Sequence, residues 1–285
     1  MPAEAPSLVP LGREQLATVR HLLPPERPGP MIAQHLLATG NGSCLADRWP
    51  APRALLVETG GNWTLAGDPA ALDPAALAGR VAGFVEAPAG FEPLLRAAVR
   101  ELHEWPRVIF TLEVPGDPPP GRPGADQVRR LGPGDAGSLA GLSSETDWIA
   151  STWGGPEGLA ASGTGWGAFS ARRLVAVSCP FFVGAAYEDL GVATEPGFRG
   201  LGLSTACAAA VCQDVRGRGR VPSWTTSPDN TASLRVAAKL GFRLQRHDRL
   251  LVADIPIPEP AARLSPEAGR TRTGRSGRRT GRPTP

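Results

Sequence analysis

Leu190 to Ser204 read LGVATEPGFRGLGLS, and this run decides how the rest of the chain is understood. The apolar segment ending at Thr194 reads as a strand, the stretch holding Gly197, Gly200 and Gly202 as a loop, and the alanine-rich residues Leu203 to Val215 as a helix. Gly200 and Gly202 let the backbone approach a ligand closely. They also bring consecutive amides to a helix N-terminus, where partial positive charge favours a phosphate group.

The neighbouring elements extend this reading. A helical stretch that includes Asp147 to Trp153 comes first. Trp166 to Ser170 and Leu174 to Phe182 follow as strands paired across Ala171-Arg172-Arg173, with Tyr187 to Thr194 as the next strand. Beyond the loop come a strand (Val221 to Thr226), a helix (Asn230 to Leu240) and a last strand (Phe242 to Ala253). This series predicts an α/β fold, a mixed sheet with helices on both faces.

Upstream, PGDPPPGRPG at Pro115 to Gly124 carries five prolines and three glycines, which forbid a regular element. We therefore read residues 115–125 as a linker between an N-terminal α+β accessory unit, residues 1–114, and the unit at 126–254. In the first unit Arg53 to Glu58 and Asn62 to Ala66 flank a Gly60-Gly61 turn as a hairpin. Phe91, Leu94, Leu95, Ala98, Leu102 and Trp105 recur at helical spacing, and Arg107 to Val114 is a strand. His21, His35 and His103 have no carboxylate or cysteine at ligand spacing and read as surface or capping residues. No metal site is expected.

Three ligand classes use a glycine loop before a helix. A dinucleotide fold needs G-x-G-x-x-G directly after a strand, but Thr205 holds the third position and the loop is too long. A nucleophile elbow needs G-x-S-x-G. Gly202 to Ala206 comes close, yet no sharp turn precedes it and no histidine and acid follow in order.

The third class fits. Arg199-Gly200-Leu201-Gly202-Leu203-Ser204 resembles the pyrophosphate-binding R-x-x-G-x-G/A motif of the GCN5-related N-acetyltransferases, the GNAT superfamily. Thr194-x-Pro196 resembles the strand end that precedes it. Asn230 to Ser233, through Leu240-Gly241-Phe242, resembles the second signature, an N-x-x-A/S helix ending in G-F. The likeness spans about Gln127 to Ala253 and is similar to a subgroup with an extra N-terminal region, here residues 1–114, which could be a degenerate copy of the same fold.

The resemblance implies acetyl-CoA as cofactor and direct acetyl transfer to a primary amine, in a splayed sheet. Amides of Gly200, Leu201, Gly202, Leu203 and Ser204 would hold the pyrophosphate next to Arg199. The backbone of Val192 and Thr194 would hold the pantetheine arm, with Val192 as donor to the thioester carbonyl, and Asn230 and Ser233 would complete the cofactor side. Trp148, Trp153 and Trp166 flank the loops expected to shape the acceptor pocket.

Acyl transfer needs a deprotonated amine, so a carboxylate base is expected. Glu188 and Asp189 are adjacent and face opposite sides of a strand. Asp189 matches the subgroup's acidic position, whereas Glu188 shares the parity of Val192 and Thr194 and is preferred. The tyrosine that often serves as general acid in the family is replaced by Ala237, which leaves Ser233, another hydroxyl or water for that role. A small-molecule amine is the expected acceptor. A protein N-terminus, or a module that binds acyl-CoA without turnover, are the alternatives, and a homodimer is left open.

Composition sets the outer bounds. Glycine (35) and proline (31) make up about 23% of 285 residues, below the roughly 25–30% typical of low-complexity chains. The net charge of +3 sits in the tail: residues 255–285 hold seven arginines and two glutamates, so the remainder carries −2. No nucleic-acid partner is expected. The tail has too few apolar residues to order itself. Lys239 is the sole lysine and is not part of a Gly-Lys-Ser/Thr run, which excludes a phosphate-loop NTPase. Four scattered cysteines read as free thiols in a reducing cytoplasm, and no apolar run of about 18 residues predicts a membrane span.

Overall fold

A computed structural model describes residues 8–113 and 127–258. The linker at 115–125 and the tail from residue 259 onward lie outside the described residues.

The chain repeats one order of elements. The first half runs β1 (Val9–Pro10), α1 (Arg13–Thr18), α2 (Ile32–Thr39), β2 (Ser43–Ala46), β3 (Ala54–Thr59), β4 (Asn62–Gly67), α3 (Pro74–Leu77), β5 (Gly83–Glu86), α4 (Glu92–Ala98) and β6 (Leu102–Thr111). The second half runs β7 (Gln127–Arg130), α5 (Ala136–Ala140), α6 (Pro156–Ser162), β8 (Trp166–Ser170), β9 (Arg173–Val183), β10 (Tyr187–Thr194), α7 (Leu203–Gly217), β11 (Val221–Thr226), α8 (Thr231–Leu240) and β12 (Arg243–Ala253). Asp147–Trp153 is a 3₁₀ turn rather than an α-helix.

All twelve strands join one sheet in the order β1-β2-β3-β4-β5-β12-β6-β11-β10-β9-β8-β7. Adding six to the strand numbers of the first half and reversing the list returns the same order, so the halves are related by a pseudo-two-fold axis. Each half gives its last strand to the other: β12 pairs with β5, and β6 pairs with β11. The halves expected as separate units therefore share a sheet, with β6 built into the centre of the second half.

The expected helix through Trp105 stops at Ala98. Asp254 accepts from the amides of Arg100 and Glu101, both at 2.9 Å, and turns the chain into β6. From Leu102 onward the backbone bonds pair with β12 along the strand's full length. A sheet partner thus overrides a local helical period.

Helix α7 buries Leu203, Cys207, Ala208, Val211, Cys212 and Val215 at helical spacing. Together with α8, which contributes Ala237 and Leu240, it covers one face of the sheet over Leu190 and Trp224, with Phe242 alongside. At roughly 1.5–3 kcal/mol for each large apolar side chain removed from water, this layer fixes where the N-terminus of α7 sits. The opposite face is covered by α5, α6 and the 3₁₀ turn through Ile149, Trp153 and Leu159.

His35 is a core residue, contrary to the surface role expected for it. It is fully buried, its Nε2–H donates to the Thr152 carbonyl at 2.9 Å, and its Nδ1 accepts from the Val183 amide at 3.1 Å. Burial lowers its pKa to about 4, so it stays neutral and holds α2 to the second half. The four cysteines are buried free thiols.

Candidate active site

Strands β10 and β11 are parallel and paired over three rungs, Tyr187 with Val221, Glu188 with Pro222 and Asp189 with Ser223. A register irregularity follows between Asp189 and Leu190, after which β10 continues to Thr194 paired to β9 alone. β11 continues paired to β6. The two strands therefore fork at Asp189 and leave one edge of β10 without a backbone partner. The Glu195 amide donates to Val175 across β9, at 2.9 Å. Alternation along a strand then turns the amides of Val192 and Thr194 toward the open edge.

The loop after β10 is latched to its strand. Arg199 Nε donates to the Thr194 carbonyl at 3.3 Å, and its Nη2 donates to Glu145 at 2.8 Å. Thr194 and Ser204 hydroxyls lie 2.8 Å apart. Arg199 is thus engaged in shaping the loop. Gly200 and Gly202 have φ of +81° and +83°, and a Cβ at either would meet no atom within 4 Å. The left-handed backbone favours glycine, and the space in front of it is empty. The first turn of α7 has amides without partners inside the helix. This donor set, backed by the dipole of a 15-residue helix, fits a pyrophosphate. In the first half the counterpart helix α3 has four residues and is capped by Asp73, which accepts from Ala75 N at 2.8 Å. A carboxylate already fills that anion position.

The two carboxylates of β10 have different fates. Glu188 is 1% exposed and faces the C-terminal end of α7, where Arg218 donates to it at 2.6 and 3.0 Å and Arg220 at 2.7 Å. Both its oxygens are engaged, so the preference for Glu188 as base is corrected: it ties the start of β10 to the end of α7. Asp189 points to the other face, at the fork. Ser223 Oγ and Thr225 Oγ1 donate to its Oδ1 at 2.7 and 3.0 Å. Desolvation outweighs these bonds and raises its pKa to about 6. A carboxylate poised there is suited to proton transfer near neutral pH.

The tryptophans separate as well. Trp153 is buried, donates to the Pro180 carbonyl at 2.8 Å and stacks edge-on with His35, so it belongs to the core. Trp166 donates to Asp214 at 2.7 Å, packs against α7 and holds that helix to β8. Neither lines an acceptor pocket. Trp148 is 42% exposed and lies edge-on to Phe181, with ring centroids 5.4 Å apart. Phe181 and Ile149 fill the space over Gly191 so closely that a Cβ there would lie 2.7 Å from Ile149 Cδ1. The turn carrying Trp148 is anchored by Glu195, which accepts from the Ser143 amide and hydroxyl and from Thr146.

On the α8 side, Asn230 is the helix N-cap, its Oδ1 accepting from the Ser233 amide at 3.1 Å. Ser233 Oγ accepts from Trp224 Nε1 at 2.9 Å, which leaves its own hydrogen free to donate elsewhere. Sequence reasoning missed Ser223, Thr225, Arg107 and Arg246, all on the Asp189 face. Their alternation along β11, β6 and β12 was the available signal, but it is informative only once those strands are known to adjoin. Among the described residues no group of His, Cys, Asp and Glu could hold a metal, and no helix is long and apolar enough to cross a membrane.

This geometry has known counterparts. Residues 137–249 match the family model for the GNAT acetyltransferases. A Streptomyces virginiae protein described as an uncharacterized N-acetyltransferase in the mutA 5′ region is 43% identical over 196 residues, 68% of this chain and 82% of that protein. Among solved structures, a GCN5-related N-acetyltransferase-like protein from Streptococcus suis aligns with a TM-score of 0.63 at 20% identity, over 84% of this chain and 98% of that one. A tandem GNAT protein from the clavulanic acid biosynthesis pathway aligns at 0.53 and 14% identity, over 88% and 99%. The chain belongs to the GNAT acetyltransferase family and is an N-acetyltransferase.

Proposed function

We propose that this enzyme transfers an acetyl group from acetyl-CoA to the primary amine of a small molecule, with Asp189 as the general base. The observation that carries this reading is the fork: an unpaired strand edge, an open phosphate cradle at its end and a buried carboxylate at its apex.

Acetyl-CoA supplies an activated acetyl thioester. The first-turn amides of α7 and the backbone at Gly200 to Gly202 receive the pyrophosphate, and Val192 and Thr194 offer the open edge to the pantetheine arm. An amide at Val192 then serves the developing oxyanion. Asp189 takes the proton of the attacking amine as the C–N bond forms and the C–S bond breaks. Ser233, fixed by Trp224, has a hydrogen to give the leaving thiolate in place of the family's tyrosine. The first half, with its anion position filled by Asp73, holds no second CoA and serves to cover the acceptor side through the Glu26 to Met31 segment. There Glu26 accepts from the amides of Ala185, Ala186 and Tyr187.

Thiol release from acetyl-CoA across a panel of small amines tests the reading. Turnover that disappears in Asp189→Asn while CoA still binds supports it; tight CoA binding with no turnover on any amine, or turnover intact in Asp189→Asn, overturns it.

A further inference from the structure

Next to Asp189, on the same face of the sheet, β6 and β12 place Arg107, Ile109, Arg246 and Asp248 in adjoining register. Gly29 and Pro30 close over them, and the Gly29 amide donates to Ser223 Oγ at 3.3 Å. This cluster is rich in cations whose donors are not used up. Arg107 is half-buried, with its guanidinium 4.0 Å from the centre of the Trp105 ring. Its side chain makes no hydrogen bond to any described residue, and its Nε is fully enclosed. Arg246 Nη2 is also enclosed without a partner, although its Nε donates to Asp248 at 2.9 Å. The nearby carboxylates are engaged: Arg27 lies 3.2 Å from Glu86 and 3.3 Å from Asp248. Arg249, on the same rim, is paired to Glu92 and Glu104.

An enclosed guanidinium nitrogen without an acceptor is costly, and native proteins rarely leave such donors unmet. Burial lowers the pKa of Arg107 to about 10, which leaves it a cation at neutral pH. Arg246 stands opposite Ile109, Ile109 opposite Thr225, and Thr225 donates to Asp189, so the arginines share the sheet face on which the amine is to be held.

We propose that Arg107 and Arg246 form a carboxylate-binding subsite on the acceptor side, so that the amine acetylated by this enzyme belongs to an amino-carboxylate. Two features favour a carboxylate over a phosphate. A guanidinium fork matches two coplanar oxygens. Glu86 and Asp248 line the same cavity as Arg107 and would repel a dianion more strongly than a monoanion. The inference rests on the acetyl-transfer reading above, and its test separates the two.

The experiment compares amino acids of increasing chain length, from glycine to γ-aminobutyrate, with their carboxamides as acceptors. Measurements use the wild type, Arg107→Met, Arg107→Lys and Arg246→Met, with melting temperatures recorded for each. The wild type is expected to favour at least one acid over its amide by about 10–150-fold in kcat/KM, the range for hydrogen bonds to a charged group. Arg107→Met should bring that ratio close to one while CoA affinity stays unchanged, and Arg107→Lys should restore it only in part. Equal use of acids and amides by the wild type, or discrimination that survives in a folded Arg107→Met, overturns the subsite. If no amine is turned over, the acetyl-transfer reading fails. Calorimetric binding of γ-aminobutyrate, against its carboxamide, to the CoA-loaded wild type and Arg107→Met then decides the subsite alone, and the absence of acid-selective binding overturns it.

Discussion

Ser223 donates its hydroxyl to Asp189 at 2.7 Å across the last rung on which β10 and β11 still pair. That bond fixes the carboxyl at the point where the sheet opens, and Thr225 shares the same oxygen. The other oxygen of Asp189 accepts no hydrogen bond from a described residue, whereas both oxygens of neighbouring Glu188 are taken by Arg218 and Arg220.

Asp189→Asn is expected to lower kcat by about 10²–10⁴-fold, the usual worth of a positioned base. In the wild type kcat/KM should rise with pH through about 6, where Asp189 loses its proton, and the variant should lose that limb. Glu188→Gln should leave the pH profile in place and instead cost about 1–3 kcal/mol of stability through its weakened arginine contacts. Steady-state kinetics from pH 5 to 8, with melting curves alongside, check both.

The same carboxyl makes a signed prediction about stability. Its folded pKa, about 6, lies above the unfolded value of 3.8, so its contribution is fully present below about pH 4 and is lost as pH climbs through 6. A shift of about two units corresponds to about 3 kcal/mol. Denaturant unfolding should show Asp189→Asn gaining stability relative to the wild type between pH 4 and 7.5. A constant difference across that range would contradict a buried, ionising Asp189.

Gly202→Glu is expected to weaken CoA binding by at least 100-fold, because it sets a carboxylate in the phosphate cradle against a left-handed backbone. Gly200→Ala meets no neighbour, so its cost is chiefly the left-handed strain of about 1–2 kcal/mol. Calorimetric titration with CoA separates the two, and unchanged affinity in Gly202→Glu would remove the cradle from the site.

Two tryptophans serve as a matched pair. Trp153→Ala should destabilise the protein by about 3–5 kcal/mol, as loss of a buried aromatic does. Trp148→Ala should leave the melting temperature within a degree or two and raise the acceptor KM several-fold. Equal melting temperatures for the two variants would refute the assignment of Trp153 to the core.

Much of the second half was legible in the chain itself. Tyr187 to Thr194 and Val221 to Thr226 are strands with the expected bounds, because each is a short β-branched and apolar run between turn residues. The glycine loop before α7 could be read because left-handed backbone positions leave their mark in glycine spacing. The choice between Glu188 and Asp189 was not legible. Strand parity places them on opposite faces, but which face holds arginines from the end of α7 and which holds Ser223 and Thr225 depends on neighbours 30 or more residues away. Leu102 to Trp105 show the limit of local pattern, since a helical period there gave way to an earlier start of the strand read from Arg107 once β12 offered a continuous row of partners.

The amino-acid sequence by itself determined the family resemblance, the glycine loop and the confinement of the excess positive charge to residues 255–285, all of which depend on residues close together in the chain. Only the tertiary structure decided that the two halves exchange their last strands, that Asp189 stands at the fork, and that Arg107 and Arg246 face it. Each of these is set by pairing between distant strands and by the cost of burying charge, and neither leaves a signal in local spacing.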